Sequence, residues 1–244
     1  MTSNARPVAV ITGGTRGIGL AIARDLAPTH HLVIGGRDPQ GVERVVAELP
    51  SAEPFVADLA DCAPGGAFDR ACADLAGHLD SVDVLVHSAG ILGSGRVADL
   101  DLATWSDVLS VNVIAPAALT RALLPALRAA EGLVLMVNSG SGFVSGPGGG
   151  AYSASKFALR ALADALREEE RASGVRVTSL HPGRVDTDMQ HELVAAEGGE
   201  YDASAFLVVD SVVRAARVAI DAGPDASIDL VSVRPRGYRP AADQ

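Results

Sequence analysis

Val8-Ala9-Val10-Ile11-Thr12-Gly13-Gly14-Thr15-Arg16-Gly17-Ile18-Gly19-Leu20-Ala21-Ile22-Ala23 is the stretch on which the fold turns. A short apolar run opens it and reads as a buried strand; an apolar, alanine-containing segment closes it and reads as a helix. Glycines fill the turn between them. Gly13 suits a tight turn, Gly17 lets backbone approach a bound group, and Gly19 lets helix and strand pack closely. A helix that opens from such a turn presents free N–H groups and a partial positive charge, which suits a pyrophosphate. A glycine-rich loop carries this meaning only where a strand precedes it and a helix follows, as here.

The same alternation runs outward along the chain. Strands are expected at 8–12, 31–36, 54–57, 82–87, 132–138, 175–180 and 228–233, and helices at 17–27, 39–49, 64–78, 101–129, 151–172 and 209–222. Apolar strands alternating with helices predict an α/β protein. The expectation is a single doubly wound Rossmann fold over 1–244, with a mostly parallel seven-stranded sheet, helices on both faces and a ligand crevice at the carboxyl ends of the strands. Residues 184–208 break the alternation and read either as a lid over a ligand or as a passive surface loop.

Composition narrows the partners. The formal net charge is −10, which argues against nucleic acid and anionic membranes. No apolar run is expected to approach the ~20 residues of a membrane span, and the first strand begins almost at once and is too short for a signal segment, so the cytoplasm is expected. Cys62 and Cys72 read as two unpaired small residues on one helix, and no metal cluster is expected.

Where an NAD-selecting site would carry a carboxylate after the second strand, this chain has Gly36 and then Arg37. Arg37 and Arg16 can converge on a 2′-phosphate, so NADP(H) is expected in preference to NAD(H). Asp38 reads as the cap of a helix that begins at Pro39. Asp58 ends the third strand and can accept from an adenine amino group or cap the next segment. Tyr152 and Lys156 stand four apart and share a helix face, where an ammonium would favour the phenolate and lower its pKa. A strand ends at Ser139, thirteen residues before Tyr152, with Ser141 as a competing hydroxyl. Asn112 sits among apolar neighbours within an expected helix.

Taken in order, Thr12-Gly13-x-x-x-Gly17-x-Gly19, Asp58, Ala89-Gly90, Asn112, Ser139, Tyr152-x-x-x-Lys156 and Pro182-Gly183-x-x-x-Thr187 resemble the short-chain dehydrogenase/reductase family across most of the chain. The resemblance implies an NAD(P)-dependent oxidoreductase interconverting a ketone or aldehyde and an alcohol. Ser139, Tyr152, Lys156 and Asn112 would be its catalytic residues, with Asn112 supporting a proton relay through a local helix distortion. Its cofactor-binding set would be Gly13, Thr15, Arg16, Gly17, Ile18, Gly19, Arg37, Asp58, Leu59, Ala89, Gly90, Tyr152, Lys156, Pro182, Gly183, Val185 and Thr187. His87 and Ser88 depart from the family pattern by standing where asparagines are usual, and His87 reads as a packing residue. His181 reads as structural or adjacent to substrate. The implied partners are a small carbonyl or alcohol substrate and further copies of the chain, as a homodimer or homotetramer. Residues 92–97, 141–151 and 184–208 would line the pocket, with Phe143, Val144, Met189 and Phe206 as apolar walls. The rival readings are a non-catalytic NADP-sensing regulator and an epimerase or dehydratase of an activated sugar.

Overall fold

In the computed structural model, which describes residues 6–236, β1 (Val8–Thr12) lies in the middle of the sheet and is buried from Ala9 onward. Side chains on a strand alternate between faces, and here both faces are apolar. Val10 faces one core, while Ala9 and Ile11 face the other. The rest of the sheet is β2 (His31–Gly36), β3 (Ala52–Val56), β4 (Val84–His87), β5 (Leu133–Val137), β6 (Arg176–Pro182) and β7 (Leu230–Val233). The strand order is β3-β2-β1-β4-β5-β6-β7, and every pairing is parallel. The expected seven strands are therefore all present, and the sheet is wholly parallel among the described residues.

The helices are α1 (Gly17–Leu26), α2 (Pro39–Glu48), α3 (Ala67–Ala76), α4 (Leu102–Leu109), α5 (Ala115–Ala130), α6 (Gly150–Glu169), α7 (Asp188–Ala196) and α8 (Val209–Ile220). Phe68, Leu119, Leu123, Leu127 and Leu159 bring α3, α5 and α6 onto one face of the sheet. Ile22, Leu26, Val42, Val45, Val212 and Ala216 bring α1, α2 and α8 onto the other. Strand order reverses between β1 and β4, so the ends of those two strands open a crevice.

Three expectations need correction. The helix expected over 101–129 is split into α4 and α5 by a π-helical turn at Ser110–Ile114. The stretch Leu102–Ala130 is also long and apolar enough to cross a membrane by length and composition, contrary to the reading of the sequence. Its inward side supplies Val108, Val111, Leu119, Leu123 and Leu127 to the buried interior. Cys62 precedes α3 rather than lying on it, and both cysteines are free as expected.

Candidate active site

The turn after β1 has the conformation its glycines anticipate. Gly13 and Gly17 have φ of +65° and +54°, the left-handed region that side chains disfavour. A Cβ on Gly19 would lie 2.2 Å from the Gly13 carbonyl oxygen, so α1 meets the turn at a distance only glycine permits. The first turn of α1 has neither a side-chain cap nor an acidic residue, which leaves its N–H groups and positive end free for an anion. Gly13 packs directly on Ala89, where an added Cβ would lie 2.8 Å from the Ala89 nitrogen. Thr12 Oγ1 accepts from Ser88 N–H (3.2 Å) and Ala89 N–H (3.3 Å), fastening the shelf after β4 to β1. The glycine turn and the Ala89-Gly90 shelf therefore form the two sides of one crevice.

Charged residues surround that crevice unevenly. Asp38 caps α2 by accepting from Gln40 N–H and Gly41 N–H, as its place before Pro39 suggests. Arg37 is exposed at the end of β2 and makes no ion pair among the described residues. Arg16 reaches across to Asp188 on α7, at 3.4 Å. Both side chains are well exposed, so the pair is weak and can yield to a stronger anion. Asp58 is exposed and accepts from Ala60 N–H, while Leu59 is buried and Ile18 packs on the core beneath α1. Thr15 borders Gly36.

Ser139, Tyr152, Lys156 and Asn112 converge at the carboxyl end of β4 and β5. Ser139 follows β5 and caps a short 3-10 turn, Gly140–Gly142, by accepting from Ser141 N–H (3.1 Å). Of the two serines, Ser139 is the one whose hydroxyl acts on the Tyr152 phenol, drawing its pKa down. Lys156 stands one turn along α6 from Tyr152, with Nζ 5.6 Å from the centre of its ring. The lysine is buried and donates to the Val137 carbonyl (3.1 Å).

The expected tuning of tyrosine by lysine is not what this geometry gives. Burial pushes the Tyr152 phenol above its ordinary value, and the Ser139 hydrogen bond draws it back down. Burial instead acts on Lys156, whose ammonium is pulled down to about 8. The lysine donates to the Val137 carbonyl.

Asn112 lies in the π-helical turn, where Ala115 N–H bonds back to the Ser110 carbonyl. The local distortion implied by the resemblance is present. The asparagine side chain is fully hydrogen-bonded there. Oδ1 accepts from Ile91 N–H (2.9 Å), and Nδ2 donates to the Ile91 carbonyl (3.0 Å) and to Ser155 Oγ (2.9 Å). Ser155 in turn donates to the Tyr152 carbonyl (2.7 Å), so Asn112 ties the shelf after β4 to the tyrosine's own helix. A Cβ on Gly90 would lie 3.3 Å from Asn112 Oδ1 and 3.7 Å from Lys156 Nζ, which places shelf, asparagine and lysine at one point.

His87 has the packing role expected of it. It is buried, bonds Thr120 through Nε2 (2.8 Å), and burial pulls its pKa down to about 3, so it stays neutral. Pro182 closes β6, and Gly183 packs against Pro235. Val185 is buried, and Thr187 precedes α7 without a side-chain cap bond, its hydroxyl donating instead to the Val185 carbonyl (3.2 Å).

The 184–208 segment is more ordered than its sequence pattern suggests. Asp186 N–H donates to the Leu207 carbonyl and Leu207 N–H to the Arg184 carbonyl, which clips its two ends together. Between them Tyr201 donates to Asp186 (2.5 Å) and stacks on His191 (3.5 Å between ring centres). Arg184 pairs with Glu197. Two of the expected pocket walls, Phe206 and Phe143, are half-buried and each packs on a neighbouring ring. Phe206 packs on Tyr201 beneath Arg184, inside the segment's own cluster. Phe143 packs on His181, with Arg160 over its ring. Val144 is exposed and Met189 half-buried.

Composition holds one more mark. Of the 20 lysine and arginine residues in the chain, Lys156 is the only lysine. Arginine stays charged under all ordinary conditions, whereas a lysine can be buried and moved toward neutrality. That single lysine is buried, and its pKa is lowered.

A sequence model of the family described as short chain dehydrogenase matches residues 7–198. The chain is 34% identical over 208 residues to a Mus musculus protein named dehydrogenase/reductase SDR family member 7B, covering 80% of this chain and 63% of that one. It thus spans less than two thirds of that relative's length. Among solved structures, an alcohol dehydrogenase from Thermococcus sibiricus in complex with 5-hydroxy-NADP superposes with a TM-score of 0.84 at 27% identity, covering 96% of this chain and 98% of that one. A metagenomic short-chain oxidoreductase in complex with NADP does so with a TM-score of 0.78 at 29% identity, covering 95% and 98%. With the glycine turn, the parallel sheet and this family match in one continuous chain, the protein belongs to the short-chain dehydrogenase/reductase family of oxidoreductases.

Proposed function

We propose that this protein is an NADP(H)-dependent enzyme that interconverts a ketone or aldehyde and the corresponding alcohol, with Tyr152 as its acid and base. The observation that carries the reading is the meeting of Ser139, Tyr152 and Lys156 beside Gly90, in the crevice that begins at the glycine turn.

The residues present fit a dinucleotide. The uncapped start of α1 suits the pyrophosphate, and an added Cβ on Gly17 would meet only the Thr187 methyl, 3.7 Å away. The open Arg37 suits a 2′-phosphate, with Arg16 as the second donor once it leaves Asp188. Asp38 does not oppose that phosphate, because its oxygens are held by α2. NADP-bound relatives support the same choice.

When bound, NADPH supplies the hydride that reduces the carbonyl carbon. Ser139 and Tyr152 donate hydrogen bonds to the carbonyl oxygen and hold the group in place. As negative charge grows on that oxygen, the Tyr152 proton passes to it, giving the alcohol and a phenolate. A phenol with a raised pKa keeps its proton until the acceptor becomes strongly basic, which suits the reductive direction. Lys156, with Nζ 5.6 Å from the ring centre, is the cation that faces the phenolate once it has formed, although it does not lower the pKa of the resting phenol. Protons return through the lysine and the Asn112 turn. A second copy packed across α5 and α6, where Ile114 and Phe157 are exposed, is the assembly we expect.

The deciding measurement is NADPH oxidation against a panel of ketones and aldehydes, for the wild type and for Tyr152→Phe. The variant is expected to lose a factor of about 100 to 10,000 in kcat while still binding NADPH in a fluorescence titration. Near-wild-type turnover by the variant on a confirmed substrate would overturn the mechanism.

A further inference from the structure

Ser139 is held through its own main chain by two side chains outside the proposed catalytic group. Its N–H donates to Asn138 Oδ1 (2.9 Å), and its carbonyl is 2.8 Å from His181 Nδ1. A carbonyl can only accept, so the proton of the ring lies on Nδ1. The other ring nitrogen is then an acceptor for the Ser179 hydroxyl (2.8 Å). Asn138 Nδ2 closes the circuit, donating to the Lys156 carbonyl (3.1 Å) and, at longer range, to Ser179 Oγ (3.4 Å). Asn138, Ser179 and His181 are all at least nine-tenths buried. Burial also lowers the His181 pKa, which keeps the ring in the neutral form this pattern needs.

The surroundings leave little play. A Cβ on Gly142 would come within 2.9 Å of Asn138 Oδ1 and 3.1 Å of the Lys156 carbonyl. Phe143 closes over His181, with ring centres 4.2 Å apart. The Ser139 hydroxyl accepts from Ser141 N–H, so its own proton is left for a partner in the crevice. Buried polar circuits with every member satisfied hold a single geometry.

We propose that His181 and Asn138 are positioning residues: together they fix the peptide groups on either side of Ser139, and Asn138 locks that serine to the helix that carries Tyr152 and Lys156. The proposal rests on the catalytic reading of Ser139 above. It explains why a histidine sits beside the site without being needed for proton transfer. Its role is to aim the hydroxyl that holds the carbonyl oxygen.

A double-mutant cycle tests it on the full chain with an active carbonyl substrate. His181→Leu is expected to lower kcat by about ten- to a hundredfold, with the Kd for NADPH unchanged within about twofold. His181→Asn, whose amide nitrogen can take the place of Nδ1, should recover most of that loss. In a Ser139→Ala background, His181→Leu should cost no more than about twofold further, because the group it aims is gone. Asn138→Asp, which keeps the shape and turns the donor toward Lys156 into an acceptor, should show the same pattern, and it carries the test if His181→Leu does not fold. Losses that multiply in the Ser139→Ala background, or an unchanged kcat in both Asn138→Asp and His181→Leu, would overturn the proposal. Full activity in Ser139→Ala alone would instead overturn the catalytic reading, and this one with it.

Discussion

Lys156 shows best how one residue can weaken the fold and serve the site. Its ammonium is buried, with a carbonyl as partner and no carboxylate. Burial takes its pKa from 10.5 to about 8 in the folded protein. Between those values the unfolded chain still holds a proton that the folded one has released, so stability rises with pH through that window. At neutral pH the charge is a burden of up to about 3 kcal/mol. Lys156→Met is therefore expected to melt at a higher temperature than the wild type at pH 7, with the gap shrinking as the pH is raised toward 10. The same variant should have no measurable reductase turnover. Because there is no second lysine, selective ¹⁵N-lysine labelling gives one side-chain resonance, and its titration near pH 8 checks the shift directly.

At the scale of elements, the turn between β1 and α1 leaves the least room for change. The Gly19 position has a carbonyl oxygen where a side chain would begin. Gly19→Ala must push α1 away from the turn, at a cost of about 1–3 kcal/mol. The expected readouts are a lower melting temperature and at least a tenfold weaker Kd for NADPH, since the start of α1 is the proposed anion site. Binding as tight as in the wild type would show that the start of α1 does not hold the phosphates. Farther along, α5 and α6 are tied at their ends by Arg128 and the buried Glu170, in a two-pronged pair of 2.8 and 2.6 Å. That pair depresses the glutamate pKa, so its contribution is present above the ordinary carboxylate value and fades as pH falls through the folded one. Glu170→Ala is expected to lower stability by about 1–3 kcal/mol in urea unfolding, with kcat unchanged, because the pair is far from the crevice along α6.

For the molecule as a whole, ligand binding and stability are one measurement. A net charge of −10 does not favour an anionic ligand at long range, so local donors must do the holding. NADPH at a hundred times its Kd should add about 2.7 kcal/mol, a rise in melting temperature of roughly 5–10 °C. NAD(H) at the same concentration should give a smaller rise. Arg37→Asp should remove the difference or reverse it, because a carboxylate there repels a 2′-phosphate and can accept from a 2′-hydroxyl. An equal rise with both cofactors in the wild type would contradict the assignment of Arg37.

The chain by itself determined the local facts. The glycine turn, the seven apolar strands and the Tyr152-x-x-x-Lys156 spacing are legible because period, turn chemistry and helix geometry act over a few residues. The solitary lysine was equally open to view, in composition rather than in spacing. Tertiary structure decided whatever depended on residues far apart in sequence. It set a π-helical turn within the long helix at Asn112, whose side chain bonds Ile91, twenty-one residues earlier. It buried Tyr152, which moves the phenol pKa up rather than down, and it turned the Lys156 ammonium to the Val137 carbonyl. It packed Phe143 on His181 and Phe206 on Tyr201, and gave the 184–208 segment a helix of its own. The glycine turn at Gly13–Gly19 needed no such help, since the backbone angles it demands are set within the turn itself.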